Sequence, residues 1–394
     1  MDERTRIGAN VRSARLRRGL SLDVVAGLAG RSKSWLSKVE RGLLPLERRS
    51  DLAALADALQ VSVVDLTGQP YLPGPVSTAS VRALRQAMLD VPPRAAARPA
   101  EALAADVDRL TQQRQAWRLE DAARTATGTL TGIRAAQAVG DGEHRDVLRL
   151  LVWCCYETAN LVRDLGYPDL GIVAARMLLD TAEELDDPAA LGVAAFARTH
   201  SLAAVPASAF SAAVQVGTAA ADRLAVADGA EALAAVGSLH LATGFALAAA
   251  RRGEEAKDRL AEAERVAARV SAPTDVARHL AFGPANVAMH RLSVAVELGE
   301  PDAGTAAAAA VRPEDIPYPA RRASYWSDLG RAYAQQRRDA EAVAALRRAE
   351  QIAPQRVRLH PLVREAVADM VDRAHRAAVG RELRGLAYRM GVPH

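Results

Sequence analysis

The stretch IGANVRSARLRRGLSLDVVAGLAGRSKSWLSKVERG, at residues 7–42, decides how the first part of the chain folds. Apolar residues recur in it every three or four positions, a spacing that is typical of amphipathic helices. Gly19 and Gly30 interrupt the pattern, and Ser21 and Ser32 follow them at positions suited to a helix N-cap. The stretch therefore predicts three short helices separated by tight turns.

The third of these helices is predicted to run from Lys33 to Glu40, with Leu36 and Val39 facing inward. Gly42 and Pro45 end it. A fourth helix is predicted around Leu52, Leu55 and Leu59. The run SVVDL supplies a fifth. Residues 1–66 are thus predicted to form a small domain of five helices.

This stretch resembles the lambda-repressor-like (xenobiotic-response-element) helix-turn-helix family over about residues 5–68. In that family the helix beginning near Ser32 enters the major groove and presents its first turns to base edges. The resemblance implies a structural ion pair between Arg15 and Glu40. It also shows one departure, because Leu22 occupies the place where the family usually carries Gln. The DNA-binding residues that we expect are Ser32, Lys33, Ser34, Trp35, Ser37, Lys38, Arg41 and Arg49, and Arg31 and Arg48 are further candidates for phosphate contact.

The distribution of charge agrees with DNA binding by the first domain. Residues 1–75 hold 12 Arg and Lys against 8 Asp and Glu, whereas the rest of the chain holds 39 of each. Lysine occurs only at Lys33, Lys38 and Lys257, so two of the three lysines fall in the predicted recognition helix. A local positive excess favours phosphate contact, although a solvated charged face gives the same count.

A second pattern, ASYWSDLGRAYAQQRRDAEAVAALRRAEQIAPQR at residues 323–356, predicts the fold of the remainder. It resembles the 34-residue tetratricopeptide repeat, a pair of antiparallel helices. All eight characteristic positions are filled, by Trp326, Leu329, Gly330, Tyr333, Ala342, Leu346, Ala349 and Pro354. Gly330 and Ala342 are small enough for the two helices to approach closely.

Weaker copies of this pattern recur about every 40 residues. The same register on residues 237–270 finds Gly244, Leu247, Ala256, Leu260 and Ala263, and further copies begin near Val152 and Val193. The turn LGYPDLG at 165–171 returns as LGEPDAG at 298–304. Helices from Leu362 to Tyr388 are expected to cap the array. With 50% apolar but only 4% aromatic residues, the fold class is all-α: a five-helix lambda-repressor-like domain followed by a tetratricopeptide-like α-solenoid.

Two segments rich in proline divide the chain. TGQPYLPGPVSTAS at 67–80 and VPPRAAARP at 91–99 disfavour helix. The predicted domains are residues 1–66, a linker with a short helix at 67–99, and the helical repeats at 100–394.

Helical solenoids bind peptides on a concave surface lined by the first helix of each repeat. Polar residues recur in those predicted first helices and form the candidate ligand-binding set Asn160, His200, His240, Asn286, His290 and Arg331. An Asn side chain both donates and accepts hydrogen bonds, so several of them can hold an extended ligand. The alternative for each residue is a buried polar side chain satisfied by a neighbouring helix.

Several classes of protein lack support in the sequence. No GxxxxGK[ST], HExxH or GxSxG motif is present, and no pair of histidines has the spacing of a zinc site, so we expect no enzymatic activity, no cofactor and no metal. The first twelve residues contain no apolar segment, which argues against a signal peptide. The uncharged stretches 199–221 and 232–250 are expected to be buried helices, and Cys154 and Cys155 to be buried thiols in a reducing cytoplasm.

The architecture as a whole resembles helix-turn-helix plus tetratricopeptide regulators of high-GC Gram-positive bacteria, and more distantly peptide-pheromone receptors. That resemblance implies a cytoplasmic transcription regulator that binds a double-stranded DNA operator as a homodimer. A peptide, a small molecule or a partner protein in the solenoid is then the effector, and no membrane is involved. The alternative is a scaffold that the first domain tethers to DNA and that binds another protein without a small ligand.

Overall fold

The computed structural model describes residues 3–61, 63–67, 78–89, 98–139, 144–204, 208–226, 229–270, 274–316, 318–374 and 380–392. Within these ranges the chain forms helices and no strands, which confirms the all-α class. The helices are α1 Glu3–Arg17, α2 Leu22–Leu28, α3 Lys33–Glu40, α4 Arg49–Leu59, α5 Val63–Thr67, α6 Thr78–Leu89, α7 Ala100–Gln115, α8 Leu119–Val139, α9 His144–Asp164, α10 Pro168–Leu185, α11 Pro188–Leu202, α12 Ser208–Leu224, α13 Ala230–Ala249, α14 Gly253–Arg269, α15 Asp275–Leu280, α16 Pro284–Leu298, α17 Pro301–Ala309, α18 Pro319–Gln335, α19 Asp339–Ile352, α20 Pro354–Leu359, α21 Pro361–Ala374 and α22 Arg381–Met390.

Helices α1 to α5 form a small domain, here called the head, whose apolar core also includes Leu362 of α21. The bounds of α3 coincide with those predicted, and Leu36 and Val39 are buried as expected. Ser21 and Ser32 cap α2 and α3, each through a side-chain oxygen that accepts a hydrogen bond from a backbone N–H in the first turn. Gly19 lies at φ 63°, a left-handed conformation that glycine adopts without steric cost. The head therefore follows its sequence signals closely.

The ion pair implied between the first and third helices is present. Arg15 donates through Nε and Nη2 to the two carboxylate oxygens of Glu40, at 2.6 and 2.8 Å, and both side chains are buried. This two-point geometry fixes the orientation of one helix relative to the other. It holds α3 against α1 from the inner side and leaves the other side of α3 outward.

Most of the remaining helices pack in consecutive pairs, namely α7 with α8, α9 with α10, α11 with α12, α13 with α14, α16 with α17 and α18 with α19. The first helices of successive pairs also contact one another, from α9 through α11, α13 and α16 to α18. Pairs that stack in this way bury a continuous core between neighbours. We call α7 to α19 the solenoid, and its first helices line an inner surface.

The best-matched repeat has the packing that its sequence predicts. Leu346, Ala342 and Ala349 are fully buried between α18 and α19. A Cβ added to Gly330 would lie 2.7 Å from two side-chain carbons of Leu346 and 3.3 Å from the carbonyl oxygen of Ala342. The glycine therefore sets the close approach of the two helices.

The two similar turns at 165–171 and 298–304 form the same structure. Each contains a glycine with positive φ, Gly166 at 87° and Gly299 at 75°. Each is followed by a helix that begins with a proline, Pro168 in α10 and Pro301 in α17. Proline suits the first position of a helix because its missing N–H would have no partner there.

The predicted linker contains α6, whose bounds fall inside it. Val81, Leu84 and Met88 are buried in the same apolar cluster as the solenoid, and Arg134 of α8 donates to the carbonyl oxygens of Ala87 and Met88. By packing, α6 belongs with the solenoid. The predicted linker residues 68–77 and 90–97 lie outside the described part of the chain.

Helix α13 is the one described helix that is long and apolar enough to cross a membrane. An apolar segment of 18 residues within α13 is 89% buried inside the protein, where it packs against α11, α12, α14 and α16. A core helix of this kind passes the same length and hydropathy test as a membrane span. Cys154 and Cys155 on α9 are likewise buried and free, as expected.

Substitution of Gly330 by alanine tests the repeat packing. We expect Gly330→Ala to lower the free energy of unfolding by about 1–3 kcal/mol, because Leu346 must move away from the new methyl group. Gly128 in α8 is the matched control, since nothing lies within 4 Å of a Cβ placed there. Gly128→Ala should raise stability by about 0.5–1 kcal/mol through helix propensity. Thermal and urea unfolding measure both changes, and equal effects would contradict the assigned role of Gly330.

Candidate nucleic-acid interface and the interior of the solenoid

One side of α3 is open to solvent. Ser32, Lys33, Ser34 and Lys38 are exposed, as is Arg41 directly after the helix, whereas Trp35 and Ser37 are half-buried. The structure therefore brings seven of the eight predicted DNA-contacting residues to one helix and its two ends. Helix α3 is eight residues long, and its exposed lysines lie one in each half, Lys33 at the N-terminal end and Lys38 in the last turn.

Neighbouring groups hold several of these side chains. Lys33 Nζ lies 2.8 Å from a carboxylate oxygen of Asp23, and both side chains are more than half exposed. Arg41 donates through Nε to the carbonyl oxygen of Ser37 at 3.2 Å. The guanidinium carbon of Arg31 lies 5.3 Å from the centre of the Trp35 ring. Exposed contacts of this kind exchange readily for a phosphate partner.

Arg49, the eighth predicted residue, lies elsewhere. It is the first residue of α4, its guanidinium carbon lies 5.5 Å from the centre of the Phe245 ring, and Nη2 is 3.5 Å from Nε2 of His360. Phe245 lies on α13, and His360 is the residue directly before α21. In this structure Arg49 thus points into the solenoid and is remote from the exposed side of α3.

Residues 46–51, here called the docking segment, connect the head to the solenoid. The N–H of Leu46 donates to Glu365 Oε1 at 3.0 Å, and the carbonyl oxygen of Glu47 accepts from Arg331 Nη2 at 2.8 Å. One carboxylate oxygen of Asp51 lies 2.6 Å from Arg31 of the head and 2.5 Å from Arg251 of the solenoid. Apart from the bond between Arg31 and Asp51, these bonds join residues at least 200 positions apart.

A buried carboxylate lies at the beginning of α4. Glu297 at the end of α16 accepts from the N–H of Ser50 at 3.2 Å, in the first turn of α4. The first N–H groups of a helix have no partner within the helix and attract negative charge. Burial raises the pKa of Glu297, although Arg331 and Arg49 nearby act in the opposite direction. The carboxylate therefore serves as an N-terminal cap supplied by another domain.

Four of the six predicted ligand-binding residues lie in the interior of the solenoid, which is the space bordered by its inner surface. Asn160 accepts from Arg163, and Asn286 accepts from Arg321, at 2.6 and 2.9 Å. His290 Nδ1 lies 2.9 Å from the carbonyl oxygen of Asn286. His200 lies close enough to Arg163, His290 and Arg321 for all three to lower its pKa, after burial as the main cause.

The other two predicted ligand-binding residues lie apart. Arg331 is buried and binds the carbonyl oxygen of Glu47 and, at 3.2 Å, the carboxylate of Asp328, so it contributes to docking of the head. His240 on α13 is buried, and the charged groups that influence it include Arg259 and Asp222 rather than the interior arginines. The structure thus divides the set into an interior group, a docking residue and an isolated histidine.

Sequence reasoning missed the arginines of the interior. Arg163 follows Asn160 by three positions on α9, which places both on one side of the helix. That spacing was a usable signal, because a basic residue beside a polar one predicts a shared surface. Arg321 and Arg356 gave no such signal, since their neighbours in the interior come from other helices. Among the described residues, no group of three or more His, Cys, Asp and Glu is placed to hold a metal ion.

Substitution of Glu297 tests the docking of the head. We expect Glu297→Ala to lower stability by about 1–3 kcal/mol and to speed trypsin cleavage after Arg48 and Arg49, because the first turn of α4 loses its acceptor. Glu297→Gln keeps an oxygen at that position and should stay closer to the wild type. Glu264→Ala, at an exposed residue, is the control. Cleavage of E297A at the rate of this control would contradict the assigned contact.

The buried histidine predicts a dependence of stability on pH. Burial lowers the pKa of His240 to about 4, from 6.5 for an exposed histidine. The unfolded chain therefore binds a proton at higher pH than the folded chain, so stability is full above pH 6.5 and falls as the pH drops towards 4. His240 accounts for up to about 3 kcal/mol of that loss.

His240→Leu should make this decline shallower in urea unfolding measured between pH 7 and pH 4. Other interior histidines contribute in the same direction, so the slope should diminish without disappearing. Ser211→Ala, at an exposed position on α12 without a titratable group, is the control and should leave the slope unchanged. A slope that H240L leaves as steep as in the wild type would show that His240 does not titrate as described.

Comparison with known proteins bears on the head. A family model described as a helix-turn-helix domain matches residues 6–67. No curated protein matches the chain. A solved structure of PlcR from Bacillus thuringiensis, in complex with the peptide PapR7 and DNA, has a TM-score of 0.33 and 12% identity, with 86% of this chain and 98% of that chain covered. A TM-score at this level supports no argument about the present chain. The family model and the five helices together identify residues 6–67 as a helix-turn-helix domain.

Proposed function

We propose that this protein is a sequence-specific, DNA-binding transcription regulator whose α3 is the recognition helix. The observation that carries this proposal is the open polar side of α3 within a helix-turn-helix domain. The major groove admits an α-helix, and hydrogen bonds to base edges there distinguish all four base pairs. Ser32, Ser34 and Ser37 offer hydroxyl groups for such bonds, and Lys33 and Lys38 offer positive charge.

Binding requires only local changes in the head. Lys33 exchanges the carboxylate of Asp23 for a phosphate or a base acceptor, which costs little because both side chains are exposed. Arg41 is free to turn from the carbonyl oxygen of Ser37 towards the DNA backbone. The apolar side of α3 stays fixed by Leu36, Val39 and the ion pair between Arg15 and Glu40.

The proposed regulator acts as a homodimer on a double-stranded operator. One recognition helix covers only a few base pairs, and two copies spaced by one turn of DNA give the specificity that a genome demands. We place the protein in the cytoplasm, where the free, buried Cys154 and Cys155 remain reduced. No catalytic function and no cofactor form part of the proposal.

An effector in the solenoid is proposed to control DNA binding. The docking segment contacts α21 and also α13, α16 and α18, so the position of the head depends on three of the helices that line the inner surface. A ligand that binds one arrangement of these helices more tightly than another shifts the position of both heads in a dimer. This dependence favours a ligand-responsive regulator over a passive DNA-tethered scaffold.

Replacement of both lysines of α3 tests the recognition helix. Selection of bound DNA from a random pool, at stated salt, first supplies the operator. We then expect Lys33→Ala with Lys38→Ala to abolish the specific gel-shift band, and to reduce the slope of log affinity against log salt by about 2 for two lost phosphate contacts.

Lys257→Ala is the matched control, because this third lysine lies on α14 in ion pairs with Glu254 and Glu300. It should bind the operator as the wild type does. A specific band that survives in the double variant would show that α3 is not the recognition helix. Failure to select any DNA from the pool would contradict the proposed function as a whole.

A further inference from the structure

We propose that the interior of the solenoid binds a small organic anion, a carboxylate or a phosphate ester, between Arg163 and Arg321, and that Arg49 of the head completes the site. The anion site itself stands on the geometry of the interior. Its consequence for DNA binding rests on the proposed function. The site would make the effector a molecule that touches both the solenoid and the head.

The first observation is that the side chains of these three arginines have neutral hydrogen-bond partners. Arg163 donates to the side-chain oxygen of Asn160, and Arg321 donates to Asn286 and, at 2.7 Å, to the carbonyl oxygen of Leu280. Arg49 contacts the His360 ring and the face of Phe245. Within the described ranges none of the three forms an ion pair with a carboxylate.

Other arginines of the interior differ in this respect. Arg114 pairs with Glu157, and Arg331 pairs with Asp328. Arg356 lies 3.5 Å from the carboxylate of Asp164. Glu297 lies near Arg49 as well, so four acidic side chains face these six arginines and two positive charges remain in excess. A charge that is partly removed from water is stabilised by an opposite charge nearby, so an anion would supply what the chain does not.

The second observation is that the excess charges share one space. Arg356 lies between the helices that carry Arg163 and Arg321: it is 3.5 Å from the carboxylate of Asp164, the residue after Arg163, and it donates to Ser324 Oγ at 2.9 Å, one turn after Arg321. Burial lowers the pKa of Arg163, Arg321 and Arg49, whereas Asp164 raises that of Arg163 and Glu297 raises that of Arg49. The charges of Arg163, Arg321 and Arg49 all lower the pKa of His200. Charges that influence the same groups lie within a few side-chain lengths of one another, because such interactions weaken with distance.

The histidines of this space do not add charge at neutral pH. Burial lowers the pKa of His290 to about 4, and burial with neighbouring arginines lowers the pKa values of His200 and His360 well below 6.5. Each neutral ring offers one donor and one acceptor for a hydrogen bond. The histidines thus suit the oxygen atoms of a ligand, and the arginines suit its negative charge.

The third observation is that the space is partly open to solvent. Arg163, Arg321, His200 and His290 keep part of their surface accessible although they face the inside of the solenoid. Next to them, His279 of α15 stacks on Trp153 at 4.0 Å and occupies the inner surface of α9. This stacked pair lines the inner surface beside Arg321, which donates to the carbonyl oxygen of Leu280 next to His279.

Arg49 makes the site responsive to the position of the head. It begins α4, directly beside Ser50, whose N–H is bound by Glu297. An anion that binds Arg49 together with Arg163 and Arg321 therefore favours the docked arrangement of the head. By linkage, a change in head position that withdraws Arg49 lowers the affinity of the site for the anion.

Calorimetric titration of the full-length protein without DNA tests the site. The probes are inorganic phosphate and succinate, each at constant ionic strength, with chloride as the control ion. We expect saturable binding of at least one probe, and a dissociation constant at least tenfold weaker in Arg163→Gln and in Arg321→Gln, since each loses a charged hydrogen bond. The tighter probe identifies whether phosphate or carboxylate is preferred.

Arg49→Gln should weaken binding in the same way, whereas Arg198→Gln, at an exposed position on α11, should leave it unchanged. Circular dichroism establishes that each variant is folded, and Arg321→Lys, which keeps the charge, should retain more affinity than R321Q. Absence of saturable binding by either probe would overturn the proposal, as would equal affinities in R163Q, R321Q and R198Q. K33A with K38A should bind the anion normally, which separates this result from failure of DNA recognition.

Discussion

The head is held in place by a buried carboxylate at the beginning of a helix. Glu297 accepts from the first turn of α4, and this contact brings the docking segment against α16, α18 and α21. A carboxylate removed from water is costly unless donors surround it, and the unpaired N–H groups of a helix N-terminus are such donors. The same contact delivers Arg49 into the interior. The arrangement of the two domains therefore depends on this pairing together with the contacts of Leu46, Glu47 and Asp51.

The interior of the solenoid combines compensated and uncompensated arginines. Arg114 with Glu157, and Arg331 with Asp328, form pairs that stiffen the helices on which they lie. Arg163 and Arg321 instead contact amide oxygens of Asn160 and Asn286. Amide oxygens orient a guanidinium group without neutralising it. The chain thus keeps these groups in a fixed direction and leaves their charge to a ligand, which is the physical condition for selective anion binding.

The local parts of the structure were predictable from sequence, and the contacts between domains were not. The ends of α3 follow from Ser32 and Gly42, and the packing of α18 on α19 follows from Gly330 and Ala342, because caps and small residues act within a few turns. Arg49 was assigned to DNA from its place near the recognition helix. Its real neighbours, Phe245 and His360, lie 196 and 311 positions away, and no local pattern records such a contact.

The geometry also limits how an effector acts on DNA binding. The docking segment uses the loop before α4 and the first turn of α4, whereas the open side of α3 carries Lys33 and Lys38 away from these contacts. A ligand in the interior can therefore change DNA binding without any part of the protein covering α3. Control by occlusion would require α3 itself to lie in the interface, and its polar side chains are exposed. Control by orientation requires only that the two heads of a dimer change their separation, since half-sites on DNA are read at fixed spacing. The docked head thus favours a regulator that works through the position of its recognition helix.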